Sequence, residues 1–240
     1  MSWTFVVHCH TKHSFDSRVE PEALARHAAA LGVNVLAVTD HDSWRGAVET
    51  REAAERLGLP LRVVLATEAA TDQGDVIGLF LREDLKDLHA TRFCDTVHAQ
   101  GGLVLLPHPY KWHRLDDALL ERVDLVEIYN GRTARADNTR AAELALKLGK
   151  AELVGPDAHR LGELHLARVE FEGDLPADED ALKHALMHAP RRFVTRPGTI
   201  WNEWLSQAVK WTRRPSLVGA VILARGAVRR LVKPREYELW

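Results

Sequence analysis

The chain has 240 residues, of which 46% are apolar, and a formal net charge of −2 at pH 7. This length suits one large domain or two small ones, and the absence of a run of 18 uncharged apolar residues argues against a membrane-spanning helix. Two cysteines are too few for a disulfide framework, and the N-terminus lacks the charged start of a secretory leader. We therefore expect a soluble, cytoplasmic protein.

The charge is distributed unevenly. Residues 191–240 contain 11 Lys and Arg against 3 Asp and Glu, whereas residues 1–190 contain 21 against 31. Four of the seven tryptophans lie in this basic region, namely Trp201, Trp204, Trp211 and Trp240. We predict a barrel domain over residues 1–198, followed by a basic, Trp-rich helical extension over residues 199–240.

Short β-branched apolar runs alternate with amphipathic stretches from residue 3 to about residue 171, a pattern typical of βα units and a parallel sheet. The candidate strands are 3–8, 33–39, 61–68, 76–81, 102–107, 123–130, 152–155 and 167–172. The candidate helices, most of which end at glycine, are 21–32, 44–58, 91–102, 134–149 and 179–189. Seven or eight such units in under 200 residues favour a compact (β/α) barrel. A doubly wound sheet is the alternative, although no glycine-rich phosphate loop follows the first strand.

Six candidate strands end in histidine, carboxylate or amide side chains. The first such end is the stretch FVVHCHTKHSFD, residues 5–16. The strand-end residues are His8, His10, Asp40, His41, Asp42, Glu68, His108, Glu127, Asn130, Asp157 and His159. In a parallel barrel these ends converge on the C-terminal face, where active sites are built.

Imidazole and carboxylate ligands together suit zinc, manganese or iron. The spacing of His8 and His10 places both imidazoles on the same side of a strand, so that they can bind one ion, and Asp157 and His159 have the same spacing. A carboxylate such as that of Glu68 can bridge two ions. The pattern therefore predicts a site for more than one metal ion.

Other candidate residues have simpler explanations. Cys9 points away from its two histidine neighbours, so we expect it to pack in the core. Lys12 and His13 lie in the following loop, where substrate contact and solvent exposure are both open. The remaining histidines considered lie on helical stretches or away from strand ends, and we expect no ligand role for them: His27, His89, His98, His165, His184 and His188.

The ordered motifs resemble those of one known family. They are His8-Cys9-His10-Thr11, Thr39-Asp40-His41-Asp42, Glu68, Pro107-His108-Pro109 and Gly155-Pro156-Asp157-Ala158-His159. Together they resemble the polymerase and histidinol phosphatase (PHP) family over residues 3 to about 195. The resemblance implies a distorted seven-stranded (β/α) TIM-like barrel that holds two or three divalent metal ions (Mn, Zn or Fe) and hydrolyses phosphoesters.

The resemblance also assigns candidate ligands to three metals. These are His8, His10, Glu68 and Asp157 for the first, Glu68 and His108 for the second, and Asp16, His41 and His159 for the third. Asp75 stands where relatives often have a further histidine, so Asp75 either binds metal or leaves the second ion with fewer protein ligands. Glu127 and Asn130 are expected to line the pocket or to support the ligands, with direct ligation by Glu127 as an alternative.

The expected mechanism is attack on a phosphoryl group by a water that the metals activate. Asp40 and Asp42 are candidates for orienting ligand histidines or for transferring a proton to the leaving oxygen. Cations that follow the strand-end motifs are candidates for binding the substrate phosphate, namely Lys12, Arg18, Lys111, Arg132 and Arg160. The expected substrate is a small phosphorylated molecule, a phosphomonoester or a phosphodiester, whose identity the motifs leave open.

Two alternatives to this function stay open. Amidohydrolases, which hydrolyse C–N bonds, also begin with His-x-His, but they commonly place a carbamylated lysine between the metals where this chain offers Glu68. A metal-binding regulatory domain without activity is the other alternative.

The basic extension has its own alternatives. We expect one or two terminal helices that pack on the barrel. The stretch of residues 216–232, which combines apolar residues with arginines, makes an amphipathic helix on an anionic membrane surface the next possibility. Nucleic acid is the third, since the chain has basic charge without a recognised binding motif.

Overall fold

The computed structural model describes residues 2–198, 200–213 and 215, with the side chains of residues 200–203 left undescribed. The strands are β1 (Ser2–Val7), β2 (Val35–Val38), β3 (Arg62–Thr71), β4 (Gly74–Leu79), β5 (Leu103–Leu106), β6 (Leu125–Asn130), β7 (Ala151–Gly155), β8 (Ala167–Glu172) and β9 (Arg191–Thr195). The helices are α1 (Pro21–Ala30), α2 (Arg45–Arg56), α3 (Ala90–Ala99), α4 (Asp117–Arg122), α5 (Arg135–Leu148), α6 (Glu179–His188) and α7 (Ile200–Arg213). A short 3-10 helix covers Leu161–Leu166.

The strands form one curled sheet in the order β7-β6-β5-β4-β3-β2-β1-β8-β9. The sheet is nearly closed, because β7 lies against β1 and β8. At the C-terminal end, backbone hydrogen bonds join the residues after β1 to those after β7: His10 N donates to Ala158 O at 2.8 Å, and Ala158 N donates to His8 O at 3.1 Å. The predicted barrel, with a helix following it, is therefore confirmed.

The expected parallel pairing is wrong for two strands. β4 runs antiparallel to both of its neighbours, β3 and β5, and β8 runs antiparallel to β1. Only residues 72–73 separate β3 from β4. A connection this short can make a hairpin, whereas a parallel crossover needs a dozen or more residues. As a result, the start of β4 rather than its end lies on the C-terminal face.

Two elements were not predicted. The edge strand β9 begins with two arginines, and α4 is only six residues long, so neither carries a clear apolar period. β9 pairs antiparallel with β8 and makes the last strand of the sheet.

The nearly continuous apolar runs of the strands are explained by burial on both faces. In β1, Phe5 and Val7 belong to the barrel interior, whereas Val6 packs in the layer with α1 and α2. Cys9 is fully buried in that same outer layer, and its Sγ lies 3.5 Å from Ala37 O. Its expected packing role is confirmed.

Only glycine fits at position 46, at the start of α2, because the backbone there lies very close to the side chains of Thr11 and Asp40. A Cβ at this position would lie 1.8 Å from Asp40 Oδ2 and 2.3 Å from Thr11 Oγ1. We expect Gly46→Ala to lower the free energy of unfolding by about 3 kcal/mol, because a backbone or a buried carboxylate must shift. Thermal unfolding should show a Tm about 10 °C lower.

The matched control is Gly162→Ala, where an added Cβ meets no atom within 4 Å. A Tm of the Gly46 variant equal to that of this control would show that the loop accommodates the methyl group.

The C-terminal helix predicted after the barrel is present as α7. The predicted basic segment, residues 216–232, lies outside the described residues. Within the described part of the chain, no helix is long and apolar enough to cross a membrane.

Candidate metal centre

Polar side chains from the ends of five strands, β1, β2, β3, β5 and β7, meet at the C-terminal face of the barrel. All of the following are at most 8% exposed: His8, His10, Asp16, Glu68, His108, Asp157 and His159. His41 joins them with a side chain that is 14% exposed. All but Asp16, which lies in the loop after β1, are within a few residues of a strand end, so the sheet fixes the positions of their Cα atoms. The structure thus brings the predicted ligands of all three groups into one buried cluster.

Three of these residues have a left-handed backbone. The φ angle is 69° at His8, 28° at His108 and 50° at Asp157. Side chains other than glycine rarely adopt such angles, and each costs on the order of 1–3 kcal/mol unless the surroundings enforce it. Strain of this kind concentrates at functional sites, where it aims a side chain that ordinary strand geometry would misdirect.

The first group consists of His8, His10, Glu68 and Asp157. Asp157 Oδ1 lies 3.6 Å from His8 Nε2 and 3.4 Å from His10 Nε2. Glu68 lies 3.4 Å from His8 Nε2 through Oε1 and 3.5 Å from His10 Nε2 through Oε2. Metal–ligand bonds of about 2.0–2.2 Å place tetrahedral ligand atoms roughly 3.3–3.6 Å apart. These four side chains therefore have the spacing that one metal ion requires.

A second group lies on the other side of Glu68. Glu68 Oε1 is 3.2 Å from His108 Nε2, and Asp75 has an oxygen within 4.8 Å of ligand atoms of both. Asp75 reaches this place because β4 is antiparallel and begins at the C-terminal face. Burial and the neighbouring Glu68 carboxylate raise the pKa of Asp75 above its ordinary value. A cation between these two acids would remove their repulsion.

The third group contains Asp16, His41 and His159. Asp16 Oδ2 lies 3.2 Å from His159 Nε2 and 3.5 Å from His41 Nε2. His10, His41 and His159 also each present a nitrogen within 4.8 Å of the others. Asp16 reaches the cluster from the loop after β1, as the resemblance implied.

Atoms of the cluster are buried without a hydrogen-bond partner, and this tests whether the site suits metal. Among the described residues, the buried atoms without a hydrogen-bond partner include Nε2 of His8 and His10, Oδ1 of Asp16, Oε2 of Glu68 and Nδ1 of His108. Buried polar atoms are nearly always satisfied in folded proteins, because leaving one unpaired costs about 1–3 kcal/mol. Several unpaired lone pairs that converge on one place fit bound cations, so the residues present suit a metal centre.

Glu127 supports two of the candidate ligands instead of pointing into the cluster. Its Oε1 accepts a hydrogen bond from His8 Nδ1 at 2.8 Å, and its Oε2 accepts one from the backbone N of His108 at 2.8 Å. Asn130 Nδ2 also donates to Oε2, at 2.9 Å. With both oxygens engaged, Glu127 fixes the tautomer that leaves His8 Nε2 available to a metal. The geometry favours the supporting role over direct ligation.

Asp40 holds His10 in place through Ser14. Ser14 Oγ donates to Asp40 Oδ1 at 2.7 Å and lies 3.1 Å from His10 Nδ1. Asp40 also accepts hydrogen bonds from the backbone N and the hydroxyl of Thr11, each at 2.6 Å. Its oxygens are therefore occupied, which favours orientation over proton transfer. Ser14 was missed by sequence reasoning, since a loop serine carries no distinctive signal.

Asp42 and Asp40 also anchor the backbone of Glu68. Glu68 N donates to Asp40 O at 3.1 Å, and Asp42 N donates to Glu68 O at 2.9 Å. The Asp42 carboxylate accepts from Ala70 N at 3.1 Å. These bonds extend the β2–β3 ladder to the face of the barrel, so Glu68 is held at the centre of the cluster.

The charges of the cluster stabilise ionised carboxylates. Burial opposes ionisation of Glu68, but His8 and His41 outweigh it and hold the pKa of Glu68 well below its ordinary value. The pKa of Asp157 is also well below its ordinary value, because His8, His10 and His159 outweigh its burial. Burial likewise disfavours charged His41, yet Glu68 and Asp16 raise its pKa to about 9. The ionised carboxylates of the site therefore favour the binding of a positively charged group.

The pKa of His159 is shifted in the opposite direction to that of His41. Burial and the nearby Arg132 guanidinium lower its pKa to about 4. Its Nδ1 lies 2.9 Å from the backbone O of Asp157 and can donate to it. The imidazole is thus neutral at pH 7, with Nε2 facing Asp16, as a metal ligand must be.

The five candidate phosphate-binding cations differ in their placement. Lys12 Nζ is 2.7 Å from Glu20, and Arg18 Nη2 is 3.2 Å from Thr212 Oγ1 on α7. Lys111 lies close enough to lower the pKa of Asp157, and Arg132 is buried beside His159. Arg160 is exposed. Lys111 and Arg132 thus lie near enough to the cluster to affect its charges. Lys12, Arg18 and Arg132 each have another partner, which for Arg132 is Ser206 and Glu163.

His113, which sequence reasoning missed, lies beside the second group. Its Nε2 is 2.7 Å from Asp75 O and its Nδ1 is 2.9 Å from Lys111 O. Its ring stands at 5.5 Å from that of His108. Because it belongs to a loop without strand or helix period, only its proximity in sequence to His108 could have indicated it.

Glu127→Gln tests the supporting contacts. The amide keeps the size of the side chain but replaces one of its two acceptor oxygens with a donor, so His8 and His108 lose their fixed orientation. We expect metal affinity to fall 10-fold to 100-fold, the usual effect of removing a partner of a ligand histidine. Metal titration of the purified variant measures this. Glu121→Gln on the exposed face of α4 is the control, and affinities equal in the two variants would show that Glu127 has no part in ligand orientation.

Comparison with known proteins agrees with this geometry. The model of the PHP domain family matches residues 7–185. An uncharacterized protein of Methanocaldococcus jannaschii, MJ1587, is 36% identical over 138 residues, which are 52% of this chain and 80% of the relative. The chain belongs to the PHP domain family.

Solved structures share the fold. A two-domain protein from Bacteroides vulgatus, containing a predicted PHP-like metal-dependent phosphoesterase, superposes with a TM-score of 0.65 at 18% identity, over 82% of this chain and 65% of that one. An amidohydrolase from Chromobacterium violaceum, crystallised with sulfate and no metal, gives a TM-score of 0.55 at 17% identity, over 85% of this chain and 96% of that one. The chain therefore has a PHP-like metal-dependent phosphoesterase fold, with a cluster that could bind metal.

Proposed function

We propose that this protein is a hydrolase that cleaves a phosphoester with the help of two or three divalent metal ions. One observation carries the proposal: Glu68 lies at the centre of four histidines that come from three strand ends, those of β1, β2 and β5. Its Oε1 is 3.2 Å from His108 Nε2 and 3.4 Å from His8 Nε2. Its Oε2 is 3.3 Å from His41 Nδ1 and 3.5 Å from His10 Nε2. A single buried carboxylate that faces four imidazoles is suited to a site for more than one metal ion.

Manganese, zinc or iron would be held by the three groups described above, since mixed imidazole and carboxylate ligands suit these metals. When bound, such ions supply Lewis acidity, which makes water nucleophilic near neutral pH and neutralises charge on phosphoryl oxygens. The protein contributes the fixed positions of the ligands and a buried surrounding. Lys111, whose charge helps to lower the pKa of Asp157, is a candidate cation for the substrate phosphate.

The substrate enters beside the third group. A cavity of about 470 Å³ adjoins His41 there. Its lining residues are His13, Phe15, His41, Asp42, Ser43, Lys86, Asp87 and Leu88. A volume of this size suits a small phosphorylated molecule. Lys86, which sequence reasoning did not identify, supplies a cation on its wall.

Proton transfer to the leaving oxygen is assigned to Asp42 in preference to Asp40. Asp40 accepts three hydrogen bonds from buried donors, whereas Asp42 lines the cavity and accepts one from Ala70 N. A general acid must reach the departing group, and of these two only Asp42 borders the cavity.

The test is a substrate panel with metal-reconstituted protein. Protein loaded separately with Mn²⁺, Zn²⁺ or Fe²⁺ would be assayed on phosphomonoesters, phosphodiesters and a matched set of amides. We expect release of phosphate, or cleavage of the diester, with at least one metal. Turnover of amides alone would favour the amidohydrolase reaction, for which Glu68 occupies the place of the usual lysine. Metal binding without turnover of any class would favour a regulatory domain.

A further inference from the structure

Helix α7 lies across the loops that carry the third group of ligands. At its C-terminal end, Arg213 Nη1 donates to the backbone O of Lys12 at 2.9 Å and to the backbone O of Ser14 at 2.7 Å. Nearby, Arg18 donates to Thr212 Oγ1 at 3.2 Å. Lys210 stands 4.9 Å from the centre of the Phe15 ring. The last turn of α7 thus binds the loop after β1 from outside the barrel.

This loop carries Asp16. Its inner side is held by Asp40, through Thr11 and Ser14, and by Ser17 Oγ, which donates to His159 O at 3.1 Å. Its outer side is held by Arg213, whose two bonds satisfy carbonyls just before Asp16. The position of the Asp16 carboxylate therefore depends on anchors from both sides.

A second set of contacts leads from α7 to His159. Buried Ser206 accepts a hydrogen bond from Arg132 Nη1 at 2.9 Å. Arg132 Nη2 lies 3.8 Å from Glu163 Oε2, and the same oxygen accepts a hydrogen bond from the backbone N of His159 at 2.7 Å. Both Asp16 and His159 are thus connected to one helix, although they are 143 residues apart in the sequence.

We propose that Arg213 of α7 is a positioning residue for the third metal site, formed by Asp16, His41 and His159. The inference rests on the proposed function, since it takes these three side chains to be metal ligands. α7 connects the Asp16 loop to the His159 loop, and Arg213 makes the two hydrogen bonds from α7 to the backbone of the Asp16 loop. Loss of this contact loosens the Asp16 loop, whereas the first group keeps its own supports from Glu127 and Asp40. Helix α7 therefore contributes to the third site from outside the barrel.

The experiment compares metal binding by the full chain and its variants. Metal-free protein would be titrated with Mn²⁺ by equilibrium dialysis, with bound metal measured by atomic emission. In Arg213→Ala we expect one class of site to weaken by about 10-fold or more, as for other partners that orient ligands, while the tighter sites stay unchanged. Arg213→Lys, which can still donate to both carbonyls, should recover much of the affinity. Lys147→Ala, which removes one exposed cation from α5, controls for net charge.

Two results would overturn the inference without touching the proposed function. One is an Arg213→Ala isotherm that matches wild type. The other is a uniform weakening of all sites together with a lower Tm of the metal-free protein, which would indicate general destabilisation. A wild-type chain that binds no Mn²⁺, Zn²⁺ or Fe²⁺ would instead overturn the metal centre itself, and this inference with it.

Discussion

Asp157→Ala is expected to abolish metal-dependent phosphate release, with a fall in kcat/KM of at least about 1000-fold, equivalent to about 4 kcal/mol of transition-state stabilisation. Asp157 Oδ1 lies between His8 Nε2 at 3.6 Å and His10 Nε2 at 3.4 Å. Without it, Glu68 is the one carboxylate left in the first group, and the first metal would lose a ligand that neutralises its charge. Hydrolysis of an aryl phosphate by the Mn²⁺-loaded variant measures the loss.

His8→Ala is the partner experiment, and it should have a similar effect because it removes another ligand of the same group. Asp157→Asn separates charge from shape, since the amide keeps the volume but brings no negative charge. Full activity in both alanine variants, after chelator treatment has excluded contaminating enzyme, would contradict the assignment of the first group.

Glu68→Ala is expected to have the broadest effect on metal binding. Because Glu68 lies within 3.5 Å of nitrogens from His8, His10, His41 and His108, its removal affects all three groups. We expect activity to fall below detection and the number of bound metals to drop by more than one, whereas Asp157→Ala should release one. Metal analysis after dialysis gives both numbers.

The matched control is Glu143→Ala on the exposed surface of α5, which removes the same charge far from the cluster. Loss of a single metal in Glu68→Ala, with others retained at wild-type affinity, would show that Glu68 serves one ion and does not bridge.

Most of the candidate site can be predicted from the sequence, because the apolar run of each strand changes to polar residues within one or two positions. In FVVHCH and VGPDAH, apolar runs that are buried on both faces stop at histidine or aspartate, and the convergence of parallel strand ends then places these residues together. The candidate ligands just after strands, such as His8, His108 and Asp157, were therefore identifiable from the sequence.

The direction of β4 was harder to predict, although the chain contains a signal. The predicted strands 61–68 and 76–81 leave seven residues between them, too few for a parallel crossover. In the structure only two residues separate β3 from β4, and the turn Thr71-Asp72-Gln73-Gly74 ends in glycine with a φ of 113°. Applying this limit would have placed Asp75 on the C-terminal face. It would also have explained how Asp75 comes near Glu68 and His108.

Supporting residues were less predictable, since their roles depend on contacts between distant segments. Ser14 connects His10 to Asp40, which is 26 residues away, and Arg213 donates to the backbone of Ser14 across 199 residues. No local pattern distinguishes a serine or an arginine that makes such contacts from one exposed to solvent. The basic charge of the extension indicated a distinct region, but its contact with the site needed the fold.

The most direct test of the central claim is activity measured as a function of bound metal. Chelator-treated protein would be reconstituted with increasing equivalents of Mn²⁺, and phosphate release and metal content would be followed on the same samples. We predict that the metal-free protein is inactive and that activity rises with bound metal and saturates at two or three ions per chain. Phosphate release that persists unchanged in metal-free protein, or its absence with every metal site filled, would contradict the claim.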